Sequence, residues 1–322
     1  MSEINLTVAI PTYNGGSKYL SQVLDALKKQ VKTSKVTWEV IVVDNNSTDD
    51  TKKLVKKYQK NWLKNVPLGY VFEEKQGAAY ARQKAVEEAK GEFVGFLDDD
   101  NIPVNNWVIE AYKFGKKYPK AGAWGGQIHG DYEVEPPKGF ERIASFLAIR
   151  EYDKESVCNP EYLILPPGAN IIINKKAWLD SVPKELLSNN KYNKIFNWRS
   201  FSGEDLEVLV YIQKNGWKIY NNPKMYTYHQ IPKKRLKKDY LVRLIRGFLL
   251  ANIFIRMKFA KTWQKPIIFL KTFAGGFKRL VLLLIKNNVK EIKTDFVLSV
   301  ELQWYFAWMI SPFIWLKLRL IK

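Results

Sequence analysis

The strongest constraint on the fold is an apolar run that ends in three consecutive carboxylates. Residues 93–97, Phe-Val-Gly-Phe-Leu, have the pattern of a buried strand, and Asp98, Asp99 and Asp100 follow directly. Ligands bind at strand ends in open α/β sheets. Adjacent carboxylates repel one another unless a cation lies among them, and Mg²⁺ or Mn²⁺ can bind carboxylate and phosphate oxygens together. The run therefore favours a divalent cation that holds a phosphorylated ligand. The alternative is a solvated acidic turn before Pro103.

Other apolar runs alternate with helical patterns along the first hundred residues. Strand-like runs cover residues 6–10, 38–43 and 69–72, and helical periodicity or composition covers 20–27, 50–63 and 77–90. This alternation predicts βαβ units, and hence an α/β fold with a mostly parallel, Rossmann-like central sheet flanked by helices. The ends of the strands at Asp44 and Asp98 would then lie at the same edge of the sheet.

The second acidic feature lies far along the chain. Gly203, Glu204 and Asp205 precede a helical pattern that runs to about residue 215, after a polar and aromatic stretch at 184–201 that favours a mobile loop. An acidic residue at a helix start interacts well with the helix dipole. A helix-capping role for Asp205 is therefore the structural alternative to a catalytic one.

The net charge of +20 is concentrated at the end of the chain. Residues 231–322 carry 20 basic and 4 acidic side chains. Such a segment favours a polyanion, and the bulky apolar residues between the cations favour an anionic membrane surface over nucleic acid. Residues 302–316 are aromatic-rich but shorter than the roughly 20 residues of a spanning helix, so we expect a helix lying in the interface. The alternative is a helical cap packed on the domain or on a partner subunit in a homo-oligomer.

The remaining sequence features concern the compartment. The single Cys158 excludes an internal disulfide and fits a reducing environment. The N-terminal residues lack the basic and apolar pattern of a secretory signal. Together with the basic segment, these features predict a cytoplasmic protein bound peripherally to the inner face of the membrane.

Five segments in order resemble the motifs of family 2 glycosyltransferases with the GT-A fold. They are Val-Ala-Ile-Pro-Thr-Tyr-Asn at 8–14, Val-Ile-Val-Val-Asp-Asn-Asn-Ser-Thr-Asp at 40–49, Gly-Ala-Ala-Tyr-Ala-Arg-Gln-Lys-Ala at 77–85, Phe-Leu-Asp-Asp-Asp at 96–100 and Gly-Glu-Asp at 203–205. The resemblance covers roughly residues 5–230. It implies a GT-A domain at 1–232, followed by a basic, aromatic-rich helical extension at 233–322.

The resemblance also implies a donor site for a nucleotide sugar, and we expect the donor to be a UDP-sugar. Pro11, Tyr13 and Asn14 would line the nucleotide pocket, and Asp44 would accept a hydrogen bond from the base. Arg82 would approach the nucleotide or its diphosphate.

Metal binding is implied for three positions. Asp98 would contact the ribose or the metal, Asp100 would coordinate Mn²⁺ or Mg²⁺, and His229 would be a further ligand. The cation would offset the charge on the departing nucleoside diphosphate.

The acceptor side is implied by two further segments. Asp205 would be the general base for the acceptor hydroxyl, and Glu204 would contact or orient the acceptor. Gly168, Ala169 and Asn170 would face the acceptor, a saccharide or lipid-linked saccharide, and direct attack would invert the anomeric carbon. Two other classes of protein remain as alternatives: an aspartyl-nucleophile phosphohydrolase and a non-enzymatic polyanion binder, although no nucleic-acid module is recognisable.

Overall fold

The computed structural model describes residues 3–15, 19–159, 165–187 and 203–320. Most of the loop predicted at 184–201 lies outside these residues. The chain divides into two compact units. The first is built from residues 1–131, 148–189 and 204–230, and the second from 132–147, 190–203 and 231–322.

One mixed sheet of nine strands dominates the first unit. Its strands are β1 (Leu6–Thr12), β2 (Trp38–Asp44), β3 (Leu68–Phe72), β4 (Phe93–Leu97), β5 (Asn101–Pro103), β6 (Ala121–Tyr132), β7 (Ser156–Val157), β8 (Asn170–Asn174) and β9 (Lys218–Ile231). Six helices among the described residues belong to the same unit: α1 (Leu20–Lys28), α2 (Thr51–Lys60), α3 (Ala78–Glu88), α4 (Trp107–Lys117), α5 (Lys175–Ser181) and α6 (Glu204–Lys214).

Strands β3, β2, β1 and β4 form a parallel half of the sheet. In this half β1 pairs with β2 and β4, and β2 pairs with β3. The register sets Thr12 opposite Asp44, so the carboxyl ends of β1 and β2 are aligned. The α/β fold class is confirmed, and the sequence correctly predicts the parallel strands.

The other half of the sheet contains antiparallel pairs that the sequence pattern did not predict. Strand β8 runs antiparallel to both β4 and β6, and β9 runs antiparallel to β5 and β7. The β5–β9 register places Asn101 opposite His229. As a result, residues more than a hundred positions apart meet beside the carboxylate triplet.

Aromatic packing fixes the central strand β4. Phe93 lies edge-on against Trp124 with ring centroids 5.1 Å apart, and Trp107 is fully buried on the same core. Gly95 stands where a Cβ atom would lie 2.7 Å from Ile172 and 2.8 Å from Trp107. The glycine therefore lets a bulky indole pack directly on the strand that ends at Asp98.

The second unit is helical. Its helices are α7 (Lys238–Phe259), α8 (Gln264–Lys286), α9 (Val289–Thr294) and α10 (Phe296–Leu320). Helix α10 packs against α7 and α8, and Arg142 from the 132–147 segment forms an ion pair with the buried Glu301 of α10. Among the described helices, none combines the length and the apolar character needed to cross a membrane.

Candidate functional site

The buried guanidinium of Arg82 joins two carboxylates from distant parts of the chain. Its Nη1 donates to Glu204 Oε1 at 2.6 Å, and its Nη2 donates to Asp98 Oδ1 at 3.2 Å. The residue is only 8% exposed. Burial alone would lower the pKa of Arg82, but the charges of Glu204, Asp98 and Asp205 outweigh it and raise that pKa. Helix α3 thereby brings the end of β4 and the start of α6 together.

Asp205 is held in one orientation by backbone donors. Its Oδ2 accepts from Gly168 N at 2.8 Å, and its Oδ1 accepts from Leu206 N at 2.7 Å. A Cβ atom at Gly168 would lie 2.9 Å from both Arg82 Nη2 and Asp205 Cβ. Glycine at 168 therefore permits the close approach of this loop to the two charged groups, and three of the predicted site residues meet here.

The loop containing residues 168–170 also contacts the carboxylate triplet. The Ala169 carbonyl accepts a hydrogen bond from Asp98 N at 3.4 Å. Asn170 is fully buried: its Oδ1 accepts from Trp107 Nε1 at 2.8 Å and its Nδ2 donates to the Gln127 carbonyl at 2.8 Å. This side chain anchors β8 in the core, so Gly168 and Ala169 remain as the acceptor-side candidates of the segment.

Asp100 and His229 form the second pair of predicted site residues that the fold brings together. His229 Nε2 lies 3.5 Å from Asp100 Oδ2, and Asn101 Nδ2 donates to Asp100 Oδ1 at 3.0 Å. Both members of the pair are buried. A carboxylate oxygen and an imidazole nitrogen together suit Mn²⁺.

Asp98, the third predicted metal ligand, forms an ion pair with Arg82. Burial raises the pKa of Asp98, with a further contribution from Asp100, and this outweighs the opposing charge of Arg82. Within the described part of the chain, no group of three or more His, Cys, Asp or Glu side chains is arranged to hold a metal ion. If a cation binds here, the Asp100–His229 pair and Asp98 are the candidate protein ligands, and a diphosphate or water would have to supply the others.

Thr12 is a site residue that the sequence reasoning missed. Its Oγ1 donates to Asp99 Oδ2 at 2.5 Å, and the threonine is buried at the end of β1. This contact ties the middle carboxylate of the triplet to the neighbouring strand. The only feature of the sequence that could have indicated this contact is that Thr12 lies at the end of a predicted strand.

The loops after β1 and β2 are joined through Asn14. Its backbone has a left-handed conformation with φ of 55°, and its Oδ1 accepts from Thr48 N at 2.8 Å. Its own N–H donates to Ser47 Oγ at 2.9 Å. Pro11 lies within β1. Tyr13, which directly precedes Asn14, has an exposed ring. The predicted nucleotide-side residues therefore follow the carboxyl ends of adjacent parallel strands.

Tyr70 is a second residue that the sequence reasoning missed. Its hydroxyl donates to Asp44 Oδ2 at 2.7 Å, while Asp44 Oδ1 accepts from Ser47 N at 2.9 Å. Burial, and then the Asp44 carboxylate, raise the pKa of Tyr70. The β2–β3 register, which is not visible in the sequence, brings the two residues together.

Comparison with known proteins identifies the family of this chain. Residues 7–178 match the family described as glycosyl transferase family 2. The poly(ribitol-phosphate) β-N-acetylglucosaminyltransferase TarS of Staphylococcus aureus is 37% identical over 111 residues, which are 34% of this chain and 19% of TarS. A dolichyl N-acetyl-α-D-glucosaminyl phosphate 3-β-D-2,3-diacetamido-2,3-dideoxy-β-D-glucuronosyltransferase of Methanococcus voltae is 23% identical over 278 residues, covering 82% of this chain and 78% of that protein.

Solved structures share the fold. The mannosyltransferase PcManGT of Pyrobaculum calidifontis, crystallised with GDP-Man and Mn²⁺, superposes with a TM-score of 0.62 at 19% identity, over 96% of this chain and 86% of that one. Residues 1–349 of S. aureus TarS give a TM-score of 0.53 at 16% identity, over 98% and 92% of the two chains. With the family match over more than half of its length, this chain belongs to glycosyl transferase family 2 and has the GT-A fold.

Proposed function

We propose that this chain is a metal-dependent, inverting glycosyltransferase that moves a sugar from a nucleotide sugar to a saccharide or lipid-linked saccharide. The observation that carries the proposal is the convergence of Asp205, Gly168 and Arg82 at the strand end that bears Asp98. A fixed carboxylate beside a strand-end acidic cluster is the arrangement needed to deprotonate an acceptor next to a diphosphate-bearing donor.

Asp205 acts as the general base. Two backbone N–H groups orient its carboxylate, and each oxygen keeps a further lone pair for an acceptor hydroxyl. As Asp205 takes the proton, the hydroxyl oxygen forms a bond to the anomeric carbon. The bond from that carbon to the diphosphate oxygen breaks, and its electron pair leaves with the nucleoside diphosphate. Attack from the face opposite the leaving group inverts the carbon.

Glu204 has a positioning role in this proposal. Its carboxylate is held by Arg82, so it fixes the first turn of α6 and with it Asp205. Asp100 and His229 would hold the cation, with Asp98 as a further candidate ligand. A bound divalent cation offsets the negative charge that develops on the leaving diphosphate.

We further propose a uridine nucleotide as the donor carrier. Asp44, which Tyr70 and Ser47 orient, would accept the imide N–H of uracil. TarS has been crystallised with UDP and with UDP-GlcNAc, which supports this choice, whereas PcManGT was crystallised with GDP-Man. The base is therefore the part of the donor that Asp44 and its neighbours would select.

The acceptor is proposed to be membrane-associated. One relative, WfgD of Escherichia coli, is named for action on a diphosphoundecaprenol-linked sugar, and the Methanococcus relative for action on a dolichyl-linked sugar. The basic residues 233–322 would hold the enzyme at the anionic inner face of the membrane where such acceptors are presented.

The test is donor turnover in two carboxylate variants. Asp205→Asn should lower kcat by about 10²–10⁴-fold, because an amide cannot accept the acceptor proton. Asp100→Asn should raise the Mn²⁺ concentration required for half-maximal rate. Release of UDP from a panel of UDP-sugars measures both. Asp180→Asn, which changes an exposed aspartate on α5, is the matched control. Wild-type turnover in both site variants would show that this mechanism is wrong.

A further inference from the structure

Helix α8 (Gln264–Lys286) has an inner face that packs within the second unit. Thr272, Gly276 and Leu283 are buried along it. A Cβ atom at Gly276 would lie 2.5 Å from the backbone nitrogen of Met309, so α8 and α10 approach closely at this point. Phe269 and Phe273 extend the contact to Phe313 of α10. The inner face of α8 is therefore covered.

The opposite face of α8 is apolar and exposed over its whole length. Its large members are 42% to 75% exposed. The exposed stripe consists of Ile267, Leu270, Ala274, Phe277, Leu284 and Ile285. The first four positions recur at three- and four-residue steps, and Leu284 lies two helical turns beyond Phe277, so the residues share one face of the helix. An apolar strip about 30 Å long costs free energy in water and calls for an apolar partner.

Cations border this stripe, and acidic groups are absent from the helix. Helix α8 carries five basic residues and no acidic residue. Lys271 and Lys278, which are exposed and two turns apart, directly follow the stripe residues Leu270 and Phe277. Lysine side chains in this position can reach upward to anionic headgroups while their methylenes stay with the apolar strip. The exposed Trp263 at the start of the helix is of the type enriched at membrane interfaces.

Helix α10, which contains the predicted interface segment 302–316, has aromatic residues that contact other parts of the same unit. Trp304 lies edge-on to Phe146 with centroids 4.8 Å apart, and Arg279 lies over the ring of Trp308 at 4.5 Å. Trp304 and Trp308 are thus partly covered by other residues of the unit. Helix α10 also exposes Phe306, Phe313, Leu316 and Leu320, but exposed large apolar side chains are more numerous on α8.

We infer that α8 is the membrane-contacting element, lying in the plane of an anionic lipid surface with its Ile267–Ile285 stripe among the acyl chains. The charge pattern selects this occupant: a second copy of the chain would bring its own cations against Lys271 and Lys278, whereas anionic headgroups would neutralise them. The inference deepens the proposed membrane location of the transferase and rests on it. It assigns that location to one helix and one face.

Vesicle flotation of the full chain tests the inference without substrate. The wild-type chain should float with vesicles of phosphatidylcholine mixed with phosphatidylglycerol and remain unbound with phosphatidylcholine alone. The double variant Leu270→Glu, Phe277→Glu should bind the mixed vesicles at least about tenfold more weakly, because each carboxylate would have to enter the apolar layer. Lys271→Glu, Lys278→Glu should cause a loss of similar size that tracks the phosphatidylglycerol content.

Matched controls keep the result interpretable. Leu179→Glu places the same charge at a 57% exposed leucine of the first unit and should bind vesicles as wild type does. Lys56→Glu, Lys57→Glu changes two exposed lysines of α2 and should have a far smaller effect. Circular dichroism melting of each variant identifies any that fails to fold, and single Leu270→Ser then replaces it.

Four outcomes separate the possibilities. Equal vesicle binding by wild type and the α8 variants would overturn the inference. So would an oligomer in size-exclusion chromatography that the α8 variants dissociate while vesicle binding is unchanged, since the stripe would then join copies of the chain. Loss of vesicle binding in the α8 variants with UDP release from the donor retained in solution would support it. A chain that binds vesicles through α8 but turns over no nucleotide sugar would leave this inference standing and reject the proposed reaction.

Discussion

At the residue scale, the geometry of the site depends on Arg82. A planar guanidinium can donate to two carboxylates at fixed angles, whereas an ammonium group acts as one point charge. The sequence placed Arg82 near the donor, but its partners Glu204 and Asp98 lie 122 and 16 residues away, a relation that no local pattern contains. Residue type and helix position were therefore predictable, and the contacts were not.

Replacing Arg82 should affect both folding and turnover. Arg82→Met removes the buried cation shared by Glu204 and the partly exposed Asp98, and should lower the free energy of unfolding by about 3 kcal/mol, with a smaller loss for Arg82→Lys. Urea denaturation measures this change. Lys84→Met on the same helix removes a partly exposed ion pair with Glu88 and should cost less than about 1 kcal/mol. A similar cost for both variants would contradict the role given to Arg82.

Tyr70 should act on base selection through Asp44. Tyr70→Phe removes the hydroxyl that orients the carboxylate, a loss of about 1 kcal/mol, which corresponds to about fivefold. The expected result is a rise in KM for the UDP-sugar and a weaker preference over donors with other bases, with kcat little changed. Tyr58→Phe is the matched control, because Tyr58 also donates to an aspartate, Asp25, at 3.0 Å. If both variants changed base preference equally, Tyr70 would have no special role.

At the element scale, local patterns were enough for the parallel half of the sheet. The apolar runs at 6–10, 38–43 and 69–72 correspond to β1, β2 and β3, and the helix predicted at 77–90 is α3. The sequence did not predict that β8 and β9 pair antiparallel to their neighbours, because strand partners depend on long-range packing. The 302–316 pattern correctly indicated an apolar helix. Periodicity alone could not show which apolar faces are covered, and in the structure α8 exposes more large apolar side chains than α10 does.

The buried carboxyl of α10 should make stability depend on pH. Burial raises the pKa of Glu301 above its ordinary value of 4.5, although Arg142 opposes the shift. The native state therefore binds this proton more tightly than the unfolded state. Its contribution to stability is fully present below pH 4.5 and is lost as pH rises through the raised pKa.

Thermal unfolding across pH tests this expectation. Relative to Glu301→Gln, which cannot titrate, the wild-type chain should lose stability as pH increases from about 4 to about 7. Arg142→Gln removes the charge that opposes the shift, so the loss should then occur at higher pH. A stability difference between wild type and Glu301→Gln that stays constant over this range would exclude the effect.

At the scale of the whole molecule, the basic segment at the end of the chain belongs to a different structural unit from the sheet. The sequence placed a boundary at 232/233, and the second unit does contain residues 231–322. It also includes residues 132–147, because Arg142 and Phe146 make their contacts with α7 and α10. Composition could locate the basic segment but not this inserted piece. Membership of glycosyl transferase family 2 also disfavours the phosphohydrolase and polyanion-binder alternatives.

Donor binding should stabilise the chain in a metal-dependent way. UDP at about 100 times its Kd adds about 2.7 kcal/mol to the free energy of unfolding and should raise Tm. Adding Mn²⁺ should enlarge the shift and EDTA should reverse that increment. In Asp100→Asn the Mn²⁺ increment should be small while the effect of UDP alone is retained. Scanning fluorimetry measures Tm without ligand, with UDP, with UDP and Mn²⁺, and after EDTA is added. A Tm shift that does not depend on Mn²⁺ would speak against the Asp100–His229 cation site.

The β5–β9 pairing also sets the order in which the site can be assembled. Strand β5 is paired with β9, and these two strands hold Asn101 opposite His229, next to Asp100. During synthesis, β1 to β4 emerge and can associate well before residues 218–231 leave the ribosome. A nascent chain therefore carries its carboxylate triplet for more than a hundred residues of elongation before the histidine arrives. Ribosome-bound intermediates would have the aligned ends of β1 and β2 but lack half of the proposed Asp100–His229 cation site, so we expect catalytic competence to be among the last properties that this chain acquires.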